Sequence, residues 1–458
     1  MLVEQPRVGS GADTGASQAR RTAVLAVSAV AAVVALLVGL QVVAALEDFE
    51  GPLASLARDY LGTPKSMSVP WAGLVLALVG LTPRRRFVAA GAAIGIDVVW
   101  ASLRLLDGKP FSVGNGPVIV LTAIAVVALV RWRGTERRTA LHAAALGALL
   151  ILATKVGDVW LHITTVARPS VLDEYVMLAD HALGDPSWVV GRVLDVLGPE
   201  VYAVLHWVYI ELPVAAIVVA VWQLRRVVAD GRWPGHYLVR TFLVLGLVGP
   251  LCYVLFPVVG PMFAFGPDGH GLQLGNFWPD VVPPLDPAPA ALPFDSYTPR
   301  NCMPSMHTAW ALAVFIHTRR DLDGNRAPWW LRWGGAFWLV ATLTATLGFG
   351  YHYGVDLVAG AVLCLTVESA LRAPELGWGG SRIRMVAAGA VLFAALLASY
   401  RYLAVPMAEY PIVAGMLVIG ALASYVTAFH LTWFSRTRSA RPEPAPEPTP
   451  NGFRPPRR

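Results

Sequence analysis

PIVAGMLVIGALASYVTAFHLTWF, residues 411–434, is a run that contains no Asp, Glu, Lys or Arg. A helix needs about 20 apolar residues to cross a bilayer, so this stretch predicts a membrane helix. Similar stretches lie at 22–46, 237–260, 329–349 and 384–404. In the whole chain 56% of the residues are hydrophobic and 14% are charged, whereas soluble domains carry about 25% charged residues. The sequence therefore predicts an all-α polytopic membrane protein.

Apolar runs mark about twelve predicted transmembrane helices. They cover residues 22–46, 68–82, 87–106, 116–132, 139–163, 200–224, 237–260, 303–318, 329–350, 352–371, 384–404 and 411–434. The even-numbered loops between them hold Arg-rich segments, and the odd-numbered loops are acidic or Pro-rich. Since positively charged loops stay on the cytoplasmic side, both termini are predicted to be cytoplasmic. The chain is expected in a plasma membrane, in a bacterium, with the odd-numbered loops outside the cytoplasm.

The two ends and one outward loop differ from the apolar spans. Residues 1–19 and the Pro- and Arg-rich segment 435–458 predict disordered cytoplasmic ends. In the segment 167–199, apolar and polar residues alternate at helical spacing, which predicts one or two amphipathic helices at the membrane interface. The 36 basic residues are dispersed among short loops, so no nucleic-acid partner is predicted.

The three cysteines are Cys252, Cys302 and Cys364. Their number and spacing fit neither a disulfide framework nor a metal site. We interpret them as small apolar residues, and we predict no metal and no cofactor.

Two outward-facing helix ends carry the side chains that indicate chemistry. The first is RNCMPSMHTAW, residues 300–310, where Pro304 suits the opening turn of a helix. Ser305 offers a hydroxyl beside free backbone N–H groups, and His307 lies in the same first turn. Such N–H groups and the helix dipole attract an anion. Taken alone, PSMH also fits a helix start whose His has no chemical role.

The second end is GFGYHYGVDLVAG, residues 348–360. His352 and Asp356 are four residues apart, and this spacing places both on one face of a helix. The carboxylate accepts a proton from one imidazole nitrogen, which leaves the other nitrogen free to attack. With His307, these groups suit phosphoryl transfer without a metal: one His attacks phosphorus and the other protonates the departing oxygen.

PSMH followed 45 residues later by His-x-x-x-Asp resembles the type 2 phosphatidic acid phosphatase (PAP2) superfamily. The form HYxxDxxxG is most similar to its inositol phosphorylceramide synthase-like branch. This resemblance covers residues 170–372 and implies a helical catalytic core. It also implies that His352 is the nucleophile, that Asp356 orients it, that His307 is the general acid, and that Ser305 contacts phosphate.

The chain departs from the superfamily at its basic residues. Phosphatases of the superfamily usually carry a Lys/Arg-rich first motif and a Ser-Arg pair before the second His, where this chain has Ala345 and Thr346. Arg240 and Arg300 are the candidate replacements as phosphate ligands. A phosphate monoester carries nearly two charges at neutral pH and a diester carries one, so a site with fewer cations fits a diester better.

These observations divide the chain into five predicted parts. They are a disordered N-terminus (1–19), a five-helix membrane region of unknown role (20–166), a PAP2-like catalytic domain with interfacial helices (167–372), two further transmembrane helices (373–434) and a disordered tail (435–458). The predicted function is transfer of a phospho-headgroup, such as phosphoinositol, from a phospholipid to a lipid or glycan acceptor at the extracytoplasmic face, through a phosphohistidine.

Three other functions stay open at this point. The first is a phosphatase for lipid phosphates or polyprenyl diphosphates. The second is a glycosyltransferase that uses a polyprenyl-phosphate sugar, with Glu47 or Asp48 as its base. The third is a transporter that uses Lys155, Asp158 and His162, which share one helix face; a structural Lys155–Asp158 ion pair is the simpler interpretation of these charges.

Overall fold

The structure is a computed structural model, and it is built almost entirely of helices. It describes residues 11–266, 282–283, 288–322 and 324–435, without the side chains of 11–23, 25 and 26. Residues 436–458, which hold nearly all of the predicted disordered tail, lie outside this part. The prediction of disorder for residues 1–19 is wrong for 11–19, because helix α1 begins at Gly11.

The helices follow the apolar runs of the sequence. In chain order they are α1 (Gly11–Leu46), α2 (Pro52–Leu61), α3 (Ser68–Val79), α4 (Pro83–Leu106), α5 (Asn115–Val130), α6 (Gly134–Ala167), α7 (Asp173–Asp180), α8 (Pro186–Leu197), α9 (Pro199–Ile210), α10 (Leu212–Leu224), α11 (Val227–Asp230), α12 (Leu238–Leu255), α13 (Pro261–Phe265), α14 (Met306–His317), α15 (Trp329–Gly348), α16 (Gly354–Leu371), α17 (Gly380–Tyr402), α18 (Ala404–Glu409) and α19 (Pro411–His430). Each predicted span contains at least part of one of these helices.

Other regular elements are short. Two 3₁₀ turns lie at His181–Leu183 and Pro374–Leu376, and a π turn at Leu431–Ser435 extends α19. The strands β1 (Ser170–Val171) and β2 (Leu292–Pro293) pair antiparallel, with Ser170 opposite Pro293.

Eight helices in the described part are long and apolar enough to cross a membrane. They lie at Val27–Leu46, Pro83–Leu106, Gly134–Ala167, Leu212–Asp230, Leu238–Leu255, Gly354–Leu371, Gly380–Tyr402 and Pro411–Ser435. Three more apolar helices, α3, α5 and α14, are shorter. The chain is thus an all-α membrane protein, and the number of twelve spans stays a prediction.

The predicted span 200–224 is divided into two helices. Helix α9 ends at Ile210 and α10 begins at Leu212. Pro213 has no backbone N–H and cannot bond to the carbonyl of Tyr209, so a continuous helix is interrupted at this point. The interruption places Tyr209 at the end of a helix, where its ring can meet side chains from other elements.

The chain forms two compact units. The first consists of Met1–Pro169, Leu224–Trp233 and Asp295–Pro299, and the buried side chains of α3 to α6 form its apolar core. The second consists of Ser170–Gln223, Pro234–Phe294 and Arg300–Arg458.

The first unit corrects the predicted Lys155–Asp158 pair. Lys155 Nζ lies 2.6 Å from Asp59 Oδ2, and both side chains are buried. Asp158 instead lies 3.8 Å from Lys65. Asp59 belongs to α2, far from Lys155 in the sequence, so helical spacing alone does not identify it as the partner. A buried charge requires an opposite charge nearby, and the fold supplies it from another helix.

Asp97 and Arg104 of α4 have structural roles, although they do not pair with each other. The Asp97 carboxylate accepts hydrogen bonds from the backbone N–H groups of Gly114, at 3.0 Å, and Gly116, at 2.7 Å. Arg104 Nη2 donates to Asn115 Oδ1 at 2.6 Å. Both buried charges therefore bind the loop that leads into α5, where its backbone groups would otherwise lack partners.

In the second unit, α14 and α16 approach each other very closely near their N-terminal ends. A Cβ atom on Gly360 would collide with the carbonyl oxygen of Ser305, so a glycine is needed where α16 passes the start of α14. Ser305 N also donates to the Asp356 carbonyl at 3.1 Å. These contacts bring together the two sequence segments that were predicted to carry the chemistry.

Candidate active site

Ser305 caps the N-terminus of α14. Its Oγ accepts hydrogen bonds from Thr308 N at 3.3 Å and from Thr308 Oγ1 at 3.0 Å. A hydroxyl has two acceptor lone pairs and one proton. Because both lone pairs of Ser305 Oγ are in use, the hydroxyl can form a further hydrogen bond only as a donor. The helix begins at Met306, so Pro304 precedes the cap and is not in the first turn as predicted. His307 is the second residue of the helix, in agreement with its predicted place.

His352 and Asp356 meet through a capped turn. Tyr353 is the N-cap of α16, and its backbone N–H donates to Asp356 Oδ2 at 2.8 Å. His352 thus lies before the helix, and the predicted shared helix face is wrong. The turn nonetheless brings His352 Nδ1 to 3.4 Å from Asp356 Oδ2. The carboxylate is therefore placed to hold one imidazole nitrogen.

Cys302 is a third member of this group, and the sequence patterns do not indicate its role. Its Sγ lies 2.7 Å from Asp356 Oδ2, 3.3 Å from His352 Nδ1 and 3.2 Å from the Tyr351 carbonyl oxygen. A thiol has one proton, so it can donate to only one of these acceptors at a time. The only signal in the sequence is the position of Cys302, three residues before Ser305.

The two oxygens of the Asp356 carboxylate differ in their surroundings. Oδ2 receives the contacts from Tyr353, Cys302 and His352. Oδ1 is buried and has no hydrogen-bond partner among the described residues. Buried polar atoms are paired in most proteins, and an exception of this kind often marks a functional site. Asp356 therefore keeps the capacity to bind one further group.

His307 lies in aromatic surroundings. Its ring stacks on Tyr209 with 3.9 Å between centroids, and Trp310 meets it edge-on at 6.2 Å. Tyr209 in turn lies 5.3 Å from Tyr351, the neighbour of His352. Within the described part of the chain, the two ring nitrogens of His307 have no hydrogen-bond partner. These nitrogens are thus available to a substrate.

Asp173, at the start of α7, holds the loops around the site through hydrogen bonds to its carboxylate. Its carboxylate accepts hydrogen bonds from Val259 N at 3.1 Å, Gly260 N at 2.9 Å and the Tyr353 hydroxyl at 2.9 Å. Burial raises the pKa of Asp173 to about 6, while the three donors oppose the shift. Helical spacing does not predict this role, because the partners lie far away in the sequence.

Two further polar residues of the segment 167–199, Asp180 and Ser187, form hydrogen bonds with the backbone around His352. Asp180 Oδ1 accepts a hydrogen bond from Val355 N at 2.9 Å, and the Ser187 hydroxyl donates to the carbonyl oxygen of His352. The predicted amphipathic segment 167–199 does form two α-helices, α7 and α8. Their polar residues hold the turn that carries the His352 imidazole.

Arg300 is buried in the second unit. Its Nη2 lies 3.5 Å from the Phe294 carbonyl oxygen, and its guanidinium carbon lies 5.7 Å from the centre of the Phe294 ring. Two residues further on, Cys302 is in direct contact with Asp356. The structure therefore places the Arg300 backbone next to the site, and a phosphate contact by its side chain stays a prediction.

Arg240 lies elsewhere. It is exposed in the first turn of α12 and donates to the carbonyl oxygen of Gly235. The neighbouring His236 contacts Glu368, which is twelve residues after Asp356 in the same helix. At a rise of about 1.5 Å per residue, these two carboxylates are about 18 Å apart. This position does not fit the predicted role of Arg240 in holding a phosphate near His352.

Comparisons with known proteins give two family matches. Residues 24–163 match a family model described as a domain of unknown function (DUF5933). Residues 176–369 match a family model described as the PAP2 superfamily, whose members are generally phosphatases or phosphotransferases. No curated protein and no solved structure matches the chain. The second match includes Ser305, His307, His352 and Asp356. The chain thus carries a PAP2 superfamily domain at residues 176–369.

Proposed function

We propose that this protein is an integral-membrane phosphotransferase. It acts on a lipid-linked phosphate at the extracytoplasmic face and passes a phospho-headgroup, such as phosphoinositol, from a phospholipid to a lipid or glycan acceptor. The observation that carries this proposal is the meeting of His307, His352 and Asp356 at the N-terminal ends of α14 and α16. The superfamily match supports a lipid phosphatase or phosphotransferase. The transfer reaction, its intermediate, the membrane face, the headgroup and the acceptor are the proposed part.

The nucleophile in this proposal is His352. Asp356 Oδ2 lies 3.4 Å from Nδ1 and favours the tautomer that carries its proton on Nδ1, as in other His–carboxylate pairs. The lone pair then lies on Nε2. Attack by Nε2 forms the N–P bond while the bond from phosphorus to the diacylglycerol oxygen breaks, which leaves the phospho-headgroup on His352 as a phosphohistidine ester.

The general acid in this proposal is His307. Tyr209 stacks on the ring of His307 and lies 5.3 Å from Tyr351, the neighbour of His352, and in this proposal one phosphate group reaches both imidazoles. His307 gives its proton to the departing oxygen, and in the second half of the reaction it takes a proton from the acceptor hydroxyl. The stacked Tyr209 ring holds its imidazole in position.

The start of α14 supplies the anion site. The first backbone N–H groups of a helix have no partner within the helix, and together with the helix dipole they favour an anion. Ser305 Oγ already accepts two hydrogen bonds from Thr308, so its proton is directed to other acceptors. A phosphate oxygen suits this role.

A phosphodiester fits these surroundings better than a monoester. The rings packed on His307 belong to Tyr209 and Trp310, which carry no charge. Arg240, in the first turn of α12, does not fit the role of a phosphate ligand near His352. A diester brings one negative charge and a monoester brings nearly two. The HYxxDxxxG form, similar to inositol phosphorylceramide synthases, favours the same choice.

The test uses the purified protein in lipid nanodiscs with EDTA present. Phosphatidylinositol, phosphatidic acid and a polyprenyl diphosphate are each supplied with a radiolabelled phosphate, together with ceramide, diacylglycerol and a soluble glycan as acceptors. We expect label from phosphatidylinositol to appear on a second lipid or on the glycan. Release of inorganic phosphate from the other two donors, without transfer, would show a phosphatase and contradict the proposed transfer.

Three variants complete this assay. His307→Ala and His352→Ala should abolish product formation from every donor. His430→Ala is the matched control, because His430 is an exposed residue at the end of α19, and it should keep full activity. Activity that survives in both active-site variants would overturn the assignment of the site.

A further inference from the structure

Cys302, His352 and Asp356 form a compact group of three different ligand types. One sulfur, one nitrogen and one carboxylate oxygen all lie within 4.8 Å of one another, and all three residues are buried. The pairwise separations are 3.3 Å for Sγ to Nδ1, 3.4 Å for Nδ1 to Oδ2 and 2.7 Å for Sγ to Oδ2. The phosphoryl transfer proposed above uses the His and the Asp and leaves the thiol without a role.

These separations are close to those of a tetrahedral zinc site. With Zn–S, Zn–N and Zn–O bonds of about 2.3, 2.0 and 2.1 Å, neighbouring ligand atoms lie about 3.4–3.6 Å apart. Two of the three observed distances agree to within a few tenths of an ångström. The third, from Sγ to Oδ2, is shorter, and rotation of the carboxylate would bring Oδ1 into use instead.

Asp356 Oδ1 is an independent indication that this group accepts a ligand. It is buried, and it has no hydrogen-bond partner among the described residues. A bound cation would provide that partner. Together with the thiolate, the carboxylate would also balance the two charges of the ion, so the buried complex would be neutral and cost little to desolvate.

We propose that Cys302, His352 and Asp356 bind Zn²⁺ or a similar thiophilic cation, and that this binding switches the phosphoryl transfer off. The ion binds the Nδ1 lone pair, so the imidazole proton must lie on Nε2, and Nε2 then has no lone pair for attack on phosphorus. The thiol proton is released to solvent as the S–Zn bond forms. The inhibition rests on the proposed function, whereas the binding does not.

A second group in the same unit has similar residues but a different chemistry. His236, His317 and Glu368 also place their ligand atoms within 4.8 Å of one another. Gln223 Oε1 accepts from Leu238 N at 2.9 Å, which directs its Nε2 donor to His317 Nδ1, also at 2.9 Å. The His317 proton must therefore lie on Nε2, which leaves no lone pair to bind a metal next to Glu368.

The test is a Cd²⁺ titration of the purified protein in metal-free nanodiscs. Cadmium bound to a thiolate gives an ultraviolet charge-transfer band, which reports binding whether or not the protein turns over a substrate. We expect one Cd²⁺ per chain with this band, competition by Zn²⁺, and removal by EDTA. No band in the wild-type protein would overturn the proposal.

Two cysteine variants locate the site. Cys302→Ala should lose the band and weaken metal binding by about 100-fold or more, since even an outer partner of a metal ligand is worth about 10–100-fold. Cys252→Ala is the matched control and should keep both. Cys302→Ser, which preserves size and hydrogen bonding, should also lose the band. A band that persists without Cys302 would contradict the assignment.

Measurements of turnover with and without Zn²⁺ test whether the bound metal inhibits the reaction. Zn²⁺ at saturation should lower turnover at least tenfold, EDTA should restore it, and the Cys302→Ala variant should resist the same Zn²⁺ concentration. Zn²⁺ that binds with the expected stoichiometry and leaves wild-type turnover unchanged would overturn the switch. If no donor is turned over at all, the proposed function fails, and the titration still decides the binding site.

Discussion

Helix α14 carries a His near each end, and α16 carries a carboxylate near each end. His307 and Asp356 lie near the N-terminal ends, and His317 and Glu368 lie near the C-terminal ends. These two pairs differ in one respect. At the His317 end, Glu368 contacts Thr241 at 2.6 Å, His317 at 2.8 Å and His236 at 3.2 Å, and Arg372 lies 3.5 Å away. Both carboxylate oxygens have partners. The Glu368 carboxylate is thus fully paired, as in networks that fix helices relative to each other.

The other end is incomplete. Asp356 Oδ1 is buried and lacks a hydrogen-bond partner within the described residues. The same residue types therefore serve structure at one end and suit chemistry at the other. The difference is whether the protein itself supplies partners for both oxygens of the carboxylate, or leaves one of them for a ligand.

The largest predicted effect is on the incomplete end. His352→Ala should lower turnover by about 10⁴-fold or more, as expected when the nucleophile of a catalytic group is removed. The thermal midpoint should change little, because His352 takes no part in the Glu368 network. Turnover and thermal unfolding measured on the same nanodisc sample check both halves. If this variant failed to fold, His352 would have a structural role, and the proposed contrast between the two ends would be wrong.

The opposite pattern is predicted for Glu368→Gln. The amide keeps the size of the side chain but removes the charge that His317 and Arg372 face, so the free energy of unfolding should fall by about 3 kcal/mol. Chemical denaturation in detergent micelles measures this loss. Turnover per folded molecule should stay within a factor of two. A large loss of turnover with unchanged stability would show that this end takes part in the reaction.

The sequence predicts much of the incomplete end. PSMH and HYxxDxxxG identify His307, His352 and Asp356 as candidates, because each motif is local in the sequence, although His352 lies before α16 and not on its face. The sequence suggests only a small apolar residue at Cys302, because its partners come from a segment about 50 residues away. Contacts of that kind depend on how the helices pack.

Long-range pairing also explains the other errors. The sequence offers Arg240 as a candidate phosphate ligand, but its position in the first turn of α12 places it close to His236. Lys155 was paired with Asp158 by helical spacing, but the fold provides Asp59 from α2. Most long helices are predictable, because apolar runs of about 20 residues mark them, whereas the number that cross the membrane stays a prediction.

A smaller effect is predicted for Asp173→Ala. This change leaves the N–H groups of Val259 and Gly260 and the Tyr353 hydroxyl without their acceptor, which costs about 2 kcal/mol. If that cost falls on the position of His352, turnover should fall by roughly 30-fold with KM nearly unchanged. Asp195→Asn, on an exposed position of α8, is the matched control and should behave as wild type.

The smallest effect is predicted for Tyr209→Leu. Loss of the ring stacked on His307 should cost about 0.5–1.5 kcal/mol, or roughly a twofold to tenfold decrease in turnover. Tyr402→Leu, at a position that is 79% exposed, should have no effect. Steady-state rates with the best donor measure both. Equal rates in wild type and Tyr209→Leu would show that the ring does not position the general acid.

The central claim is that His352 carries the phosphoryl group, and trapping the intermediate tests it most directly. The protein in nanodiscs is mixed with phosphatidylinositol labelled in its phosphate, quenched in alkali, which preserves phosphohistidine, and digested for mass spectrometry. The label should lie on the peptide that contains His352 and should be missing from the His352→Ala variant. Label on His307, or turnover without any labelled peptide, would contradict the account.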